Sequence, residues 1–247
     1  DRKKTFKLLS KYNYKFVIHL AAQPGVRYSL KHPETYVKNN ILVFSNIIDF
    51  IKEKKLKFFY ASSSSVYGDS KSFPKKESDL LQPNNIYSLT KKNNEETANL
   101  YAKFYGITAV GLRFFTVYGE YGRPDMFILK FLQSAIHKKK IYVYNKGNHF
   151  RDFTYINDTI EMTFNLIKNI NKFKKGNHIF NICRGKSESL RKIVSHLILL
   201  TNYKKIIYTK SFNTEVHKTH GSNNKINQYF KKGRNPFIDI KSGINKT

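Results

Sequence analysis

Tyr87 and Lys91 lie four residues apart in a segment, Tyr87 to Tyr105, whose pattern predicts a long helix stopped at Gly106. Residues at i and i+4 share a helix face, so the phenol and the ammonium act on the same side. A tyrosine with its ordinary pKa of ~10 is a poor base at neutral pH, but a neighbouring cation favours the phenolate. Tyr87 then becomes able to take a proton from a substrate hydroxyl. About one loop earlier stands Ala61-Ser62-Ser63-Ser64-Ser65-Val66-Tyr67-Gly68. A hydroxyl there, at the carboxyl end of a strand, can bond the same oxygen that Tyr87 deprotonates. Alone, the Tyr-Lys pair reads as an ordinary helix face and the serine run as a polar turn. Their order along the chain is what points to proton transfer.

These groups need a scaffold, and the sequence predicts one. Lys15 to Ala22 is a continuous apolar run closing in small residues, as in a buried parallel strand entering a tight turn. Asn39 to Lys54 carries apolar residues at helical spacing, and Lys57 to Ser62 reads as a second buried strand. After the Tyr87 helix, Ile107 to Phe114 is the next strand. The alternation predicts an α/β fold, a doubly wound parallel sheet with its site at the carboxyl ends of the strands. Beyond Gly122 the spacing predicts helices over Phe127 to Ile136, Asp158 to Asn169 and Glu188 to Leu200, and strands over Ile141 to Tyr144 and His178 to Cys183. Asp158 sits where a helix N-cap belongs. A boundary near residue 118 separates this smaller part.

Composition narrows the function classes. With 247 residues, 40% apolar and 15% aromatic, the chain is long enough to bury a core in one or two domains. No run of about 18 apolar residues occurs, so no membrane span is expected. Asp1-Arg2-Lys3-Lys4 precedes no apolar stretch of signal-peptide type, and a cytoplasmic protein is the expectation. The single cysteine, Cys183, reads as a small buried residue, and no metal-ligand spacing occurs. The net charge of +28 comes from scattered, mostly lysine cations without any zinc-finger, basic-zipper or RNA-recognition signature, so nucleic acid is not the expected partner. An anionic small molecule suits the charge equally well.

The chain strongly resembles the extended short-chain dehydrogenase/reductases, the NAD-dependent epimerase/dehydratases, and within them the UDP-glucuronate 4-epimerases. The resemblance is carried by His19-Leu20-Ala21-Ala22-Gln23-Pro24-Gly25-Val26-Arg27-Tyr28-Ser29, Asn40, Ala61 to Gly68, Tyr87 to Lys91, Arg113-Phe114-Phe115-Thr116-Val117-Tyr118-Gly119, Arg123-Pro124-Asp125-Met126 and Arg151-Asp152-Phe153. It implies a Rossmann-like fold with residues 1–118 as a partial NAD-binding domain and 119–247 as a mainly substrate-binding part, interleaved with the first. It implies Ser63, Tyr87 and Lys91 as catalytic residues. Leu20, Ala21, Ala22, Gln23, Pro24 and Asn40 should then lie along the cofactor, NAD, with Lys91 and Tyr87 at its nicotinamide end and Phe115 near the carboxamide. For the UDP-sugar, it implies Ser63, Ser64 and Ser65 at the sugar, Arg151 at the diphosphate, Thr116 and Arg123 at a uronate carboxylate, and Arg27 nearby. A homodimer through a helical interface is implied too.

The implied reaction inverts C4 of the sugar. Tyr87 removes the 4-hydroxyl proton while hydride passes to NAD, the 4-keto sugar turns over, and hydride and proton return to its opposite face. Two related reactions share that intermediate. Dehydration normally uses a carboxylate pair just after the catalytic hydroxyl, where this chain has Ser64 and Ser65, so epimerisation is favoured. Decarboxylation of a UDP-uronate stays open, as do UDP-glucose 4-epimerisation and nucleotide binding without turnover. A Rossmann site also needs a glycine-rich turn after its first strand, and none occurs here. By the resemblance Asp1 falls after the third strand, about two βα units of ~30 residues each being absent. Asn235 to Thr247 likewise stops inside the expected last helix. The sequence therefore predicts a chain that exposes an apolar sheet edge, tends to aggregate and binds NAD weakly or not at all.

Overall fold

The computed structural model describes residues 1–210, 216–230 and 236–247. The chain forms two compact units. The first comprises Asp1–Ser70, Glu77–Phe114 and Leu166–Asn181, the second Lys71–Lys76, Phe115–Asn165 and Ile182–Thr247.

In the first unit, α1 (Arg2–Leu9), β1 (Phe16–His19), α2 (Val26–Lys31), α3 (Pro33–Tyr36), a π-helical stretch (Val37–Leu42), α4 (Val43–Lys54), β2 (Lys57–Ser63), α5 (Ile86–Tyr105) and β3 (Thr108–Phe114) follow one another. β1 pairs in parallel with β2, and β2 in parallel with β3, in a sheet completed on the far side of β3 by β7 (Gly176–Ile182), in the order β1-β2-β3-β7. Phe58 and Tyr60 of β2 alternate onto one face and pack against Phe44, Ile48 and Ile51 of α4 and Ala98 and Ala102 of α5, all buried. That period of two carries on to Ser62, which therefore also faces α5. The other edge strand, β1, leaves Ile18 partly exposed.

The start and stop of α5 are written in its sequence. Asn85 accepts the Ser88 N–H at 2.9 Å, while the Ser88 hydroxyl accepts the Asn85 N–H at 3.2 Å. This reciprocal cap satisfies two otherwise orphaned donors. Gly106, at φ 65°, takes the left-handed turn that ends the helix.

In the second unit, β4 (Thr116–Tyr118), α6 (Phe127–Ile136), β5 (Ile141–Tyr144), β6 (Phe150–Tyr155), β8 (Ser187–Ser189), α8 (Leu190–Thr201), β9 (Ile206–Thr209), α9 (Asn224–Asn227) and α10 (Ile240–Lys246) occur; α7 (Ile156–Lys168) and β7 (Gly176–Ile182) link the units along the chain. β4, β6 and β8 form one small sheet, β5 and β9 another. Phe131, Ile141, Val143, Phe153, Tyr155 and Leu197 lie in their common core. Cys183 is buried, as its apolar surroundings in sequence predict.

Several elements differ from the sequence expectation. The first strand stops at His19, short of the expected Ala22, and beyond it the backbone of Gln23 is bonded by a side chain, Asn40. The helix expected from Asn39 begins as π-helix. Ser187–Ser189 pairs antiparallel with Phe150–Asp152 before α8 begins. The strand expected over His178 to Cys183 joins the first unit's sheet beside β3, so the chain crosses between units more often than one boundary near 118 provides. Asp158 is no N-cap: it lies in the first turn of α7 and accepts the Ile238 N–H at 3.1 Å. In the terminal segment Asn235 lies outside the described residues, while Ile240–Lys246 is helical with Asp239 as its cap.

Candidate active site

The site is assembled in the first unit, where β1 and β2 end. Leu20 to Gly25 leaves β1 as an irregular segment, with Leu20 and Ala21 exposed and Ala22, Gln23 and Pro24 half-buried. Two residues from the next helical region hold it. Asn40 accepts the Gln23 N–H at 2.7 Å and donates to the Gln23 carbonyl at 3.1 Å, and it also donates to the Thr90 hydroxyl at 3.1 Å. Tyr36 donates from its hydroxyl to the Pro24 and Gly25 carbonyls. The Tyr36 ring meets that of Tyr87 edge to face, centroids 6.2 Å apart. Thus the segment at the end of β1 is tied to α5 through Asn40 and Thr90, and again through Tyr36 and Tyr87.

The π-helical stretch explains how a fully buried Asn40 reaches back to that segment. Its wider turn breaks the α-helical phase, a distortion frequent at functional sites. Small side chains at 21 and 22 leave the backbone open over the end of the sheet, which suits the close approach of a flat dinucleotide. These features fit NAD along Leu20 to Pro24 and Asn40.

Lys91 is buried and donates from Nζ to the Ala61 carbonyl at 2.8 Å. Burial lowers its pKa to about 8. His19, at the end of β1, is lowered to about 4, first by burial and then by the charge on Lys91, so it is neutral at physiological pH. Ser63 ends β2 and caps the short 3-10 turn Ser64–Tyr67; its hydroxyl oxygen accepts from the Ser65 N–H at 3.2 Å and the Ser65 hydroxyl at 2.9 Å. With both lone pairs engaged, Ser63 has its proton to donate. Gly68 closes the turn at φ 62°, and a Cβ there would overlap the Gln82 carbonyl. Ser63, Ser64, Ser65 and Tyr87 are all half-buried, and Arg27 on α2 is exposed.

The other sequence-predicted residues belong to the second unit. Phe115 is buried and its N–H bonds the Ile182 carbonyl at 3.1 Å. Thr116 on β4 pairs with Phe153 on β6, two residues beyond Arg151. Arg151 donates to the Phe150 carbonyl at 2.9 Å and the His217 carbonyl at 3.0 Å. Arg123 lies in the exposed turn after β4, where its guanidinium forks onto Asp125, with Nε to Oδ1 at 2.9 Å and Nη2 to Oδ2 as the second bond. Asp152 is fully buried and receives the N–H groups of Arg184, Gly185 and Gly221. Burial pushes its pKa up to about 7 although those donors pull the other way.

Sequence reasoning overlooked a buried polar cluster beneath Ser63. Arg113 of β3 donates to Glu95 of α5 from Nε (2.9 Å) and Nη2 (2.7 Å), and from Nη1 to the Tyr67 hydroxyl (2.8 Å) and the Glu77 carbonyl (3.1 Å). Glu95, four beyond Lys91, and Arg113, inside a motif, were the signals in sequence, and neither identifies the other as its partner. His19 and Thr90 stand inside motifs without a role assigned to them, and Tyr36 lies outside every motif. Among the described residues no group of three His, Cys, Asp or Glu could hold a metal, and no helix is long and apolar enough to cross a membrane.

A family model described as "NAD dependent epimerase/dehydratase family" matches residues 1–183. UDP-glucuronate 4-epimerase 2 of Arabidopsis thaliana is 35% identical over 257 residues, covering 97% of this chain and 59% of that protein. The crystal structure of UDP-glucuronic acid 4-epimerase from Bacillus cereus in complex with UDP-glucuronic acid and NAD is 33% identical, with a TM-score of 0.90 over 100% of this chain and 78% of that one. MoeE5 in complex with UDP-glucose and NAD is 27% identical, with a TM-score of 0.86 over 96% of this chain and 81% of that one. The chain spans about half the length of the curated relatives it matches.

Proposed function

The chain belongs to the NAD-dependent epimerase/dehydratase family, and on that basis we propose that the protein is a cytosolic UDP-sugar 4-epimerase that interconverts UDP-glucuronate and UDP-galacturonate. The observation that carries the reading is the bond from Lys91 to the Ala61 carbonyl, which fixes the helix of Tyr87 against the strand end that presents Ser63. Tyr87 takes the proton of the sugar 4-hydroxyl, and Ser63 donates a hydrogen bond to the same oxygen. Lys91, largely charged at neutral pH, favours the phenolate of Tyr87. NAD, when bound, supplies the acceptor and donor of hydride. Once the keto sugar has turned over, Tyr87 returns the proton and C4 is inverted. Leu20, Ala21, Ala22, Gln23, Pro24, Asn40 and Phe115 serve the cofactor; Arg27, Ser64, Ser65, Thr116, Arg123 and Arg151 serve the UDP-sugar. Exposed Leu89, Leu100 and Phe104 on α5 support self-association through that helix as a homodimer.

The test is incubation of the full-length protein with UDP-glucuronate and UDP-glucose, products being identified by mass and NMR. UDP-galacturonate is the expected product, and Tyr87→Phe should lose at least about a hundredfold in kcat, a typical share for general acid-base catalysis. Retention of more than about a tenth of kcat would overturn the role of Tyr87. A second reading, 4-epimerisation of UDP-glucose, is favoured by the Arg123–Asp125 pair, because the guanidinium meant for a uronate already holds a carboxylate. Turnover of UDP-glucose alone would select that reading.

A further inference from the structure

We infer that the buried Glu95–Arg113 pair, together with Ser62 and Tyr67, is a positioning device for Ser63. The inference rests on the catalytic reading of Ser63 and Tyr87 above.

Tyr87, Lys91 and Glu95 follow each other at intervals of four on α5 and share one face. Lys91 takes the Ala61 carbonyl and Glu95 takes the Ser62 hydroxyl through its Oε1. Two consecutive residues of β2 are thereby fastened to two consecutive turns of the helix that carries Tyr87. Ser62 also stands opposite Arg113 in the β2–β3 register, so Glu95 binds both members of the last strand pair before Ser63 and Phe114. The same Arg113 reaches past the serine turn to its far end. Its Nη1 bonds the Tyr67 hydroxyl, and its guanidinium carbon lies 4.8 Å from the centre of the Tyr67 ring. Tyr67 in turn donates to Asn181 Oδ1 at 2.7 Å. Ser63 is therefore bracketed at residue 62 by Glu95 and at residue 67 by Arg113. The side chains of the ion pair are only 4% and 5% exposed.

A buried ion pair is a poor way to gain stability, since desolvation offsets most of its attraction and apolar residues of like volume often do as well. What it supplies here is direction. Every partner has fixed geometry, and the Ser63 hydroxyl emerges from a turn clamped at both ends. A shift of about 1 Å in a reacting group can cost on the order of a hundredfold in rate.

The experiment uses the full-length protein with NAD. Ser62→Ala deletes one bond to Glu95 and leaves the ion pair; Tyr67→Phe deletes the bond from Arg113 and the one to Asn181 and keeps the ring. Each should lower kcat about tenfold or more while KM for the UDP-sugar stays within about twofold, and Ser62→Thr should restore most of the rate. Amide exchange over residues 63–66 should quicken in Ser62→Ala, because the Ser65 N–H depends on Ser63 Oγ. Tyr87→Phe run beside them separates the two ideas: residual turnover in that variant removes the proposed function, whereas an inactive Tyr87→Phe with an undiminished Ser62→Ala and Tyr67→Phe removes the positioning role alone. A rate loss in Ser62→Ala that Ser62→Thr does not repair, or KM rising as kcat falls, also overturns it.

Discussion

Asn40 brackets the peptide of Gln23, accepting its N–H at 2.7 Å and donating to its carbonyl at 3.1 Å, so that one side chain does for this segment what a neighbouring strand does for β2. Asn40→Ala should leave both backbone groups without their partners. A buried polar group deprived of its bond costs about 1–3 kcal/mol, and urea unfolding should register that loss. Calorimetric titration of the full-length protein should show a weaker affinity for NAD with little change for the UDP-sugar. Equal weakening of both would place Asn40 outside the cofactor site.

Lys91 imposes a stability cost that depends on pH. Its pKa in the fold is about 8, below the ordinary 10.5, so the folded state binds fewer protons than the unfolded chain between those values. The cost is therefore full below pH 8 and is relieved as pH rises from about 8 toward 10.5. Lys91→Met, neutral throughout, should show its largest Tm advantage, or smallest deficit, at pH 7. Its Tm relative to wild type should fall steadily toward pH 10.5. A difference that does not vary with pH would mean that Lys91 titrates normally.

Arg123 and Asp125 make a specificity test. Arg123 holds the Asp125 carboxyl below its usual pKa, and a substrate carboxylate must compete with it for the guanidinium. Asp125→Asn should lower KM for UDP-glucuronate and leave that for UDP-glucose alone, while Arg123→Leu should raise the former by roughly ten- to a hundredfold, the worth of one charge-assisted bond. Parallel changes for both sugars would assign Arg123 to the fold.

Gly68 offers a test by backbone. Gly68→Ala adds a Cβ where the Gln82 carbonyl already sits and at a φ that L side chains rarely adopt. Stability should drop by about 1–3 kcal/mol, as for other strained backbone positions, and the drop is read by thermal unfolding.

The frame of the first unit was legible because its signals are local. Apolar runs mark β2 and β3, and Asn85, Ser88 and Gly106 mark the ends of α5. In the second unit α6 and β5 fall on Phe127–Ile136 and Ile141–Tyr144, as hydrophobic spacing predicts. What escaped depends on partners far away in sequence. Arg113 stands in an expected strand and in a motif, but nothing local names Glu95, 18 residues earlier, as its partner. Leu20 to Ala22 looks like the end of the first strand, but β1 stops at His19 and Asn40 takes the backbone bonds of Gln23 just beyond. The pairing of Ser187–Ser189 with Phe150–Asp152 overrides a helical pattern that would otherwise start earlier. Tyr87, Lys91 and Ser63 could be singled out because their neighbours form compact motifs; the groups that aim them could not.

The π-helical stretch Val37–Leu42 sets two optima against each other. Deleting one residue there would let regular α-helix run on from α3 into α4, a change that favours the helix in isolation because the α form is the common one. Yet each α-helical residue advances the chain by about 100°, so everything before the deletion would swing around the axis relative to everything after it. Tyr36 would turn away from Pro24 and Gly25, and with it the contact to Tyr87. Length at this point is thus under tighter constraint than composition: many side chains could serve at the exposed positions 37 and 38, but no shorter stretch could keep Tyr36 and Asn40 pointing at the same six-residue segment.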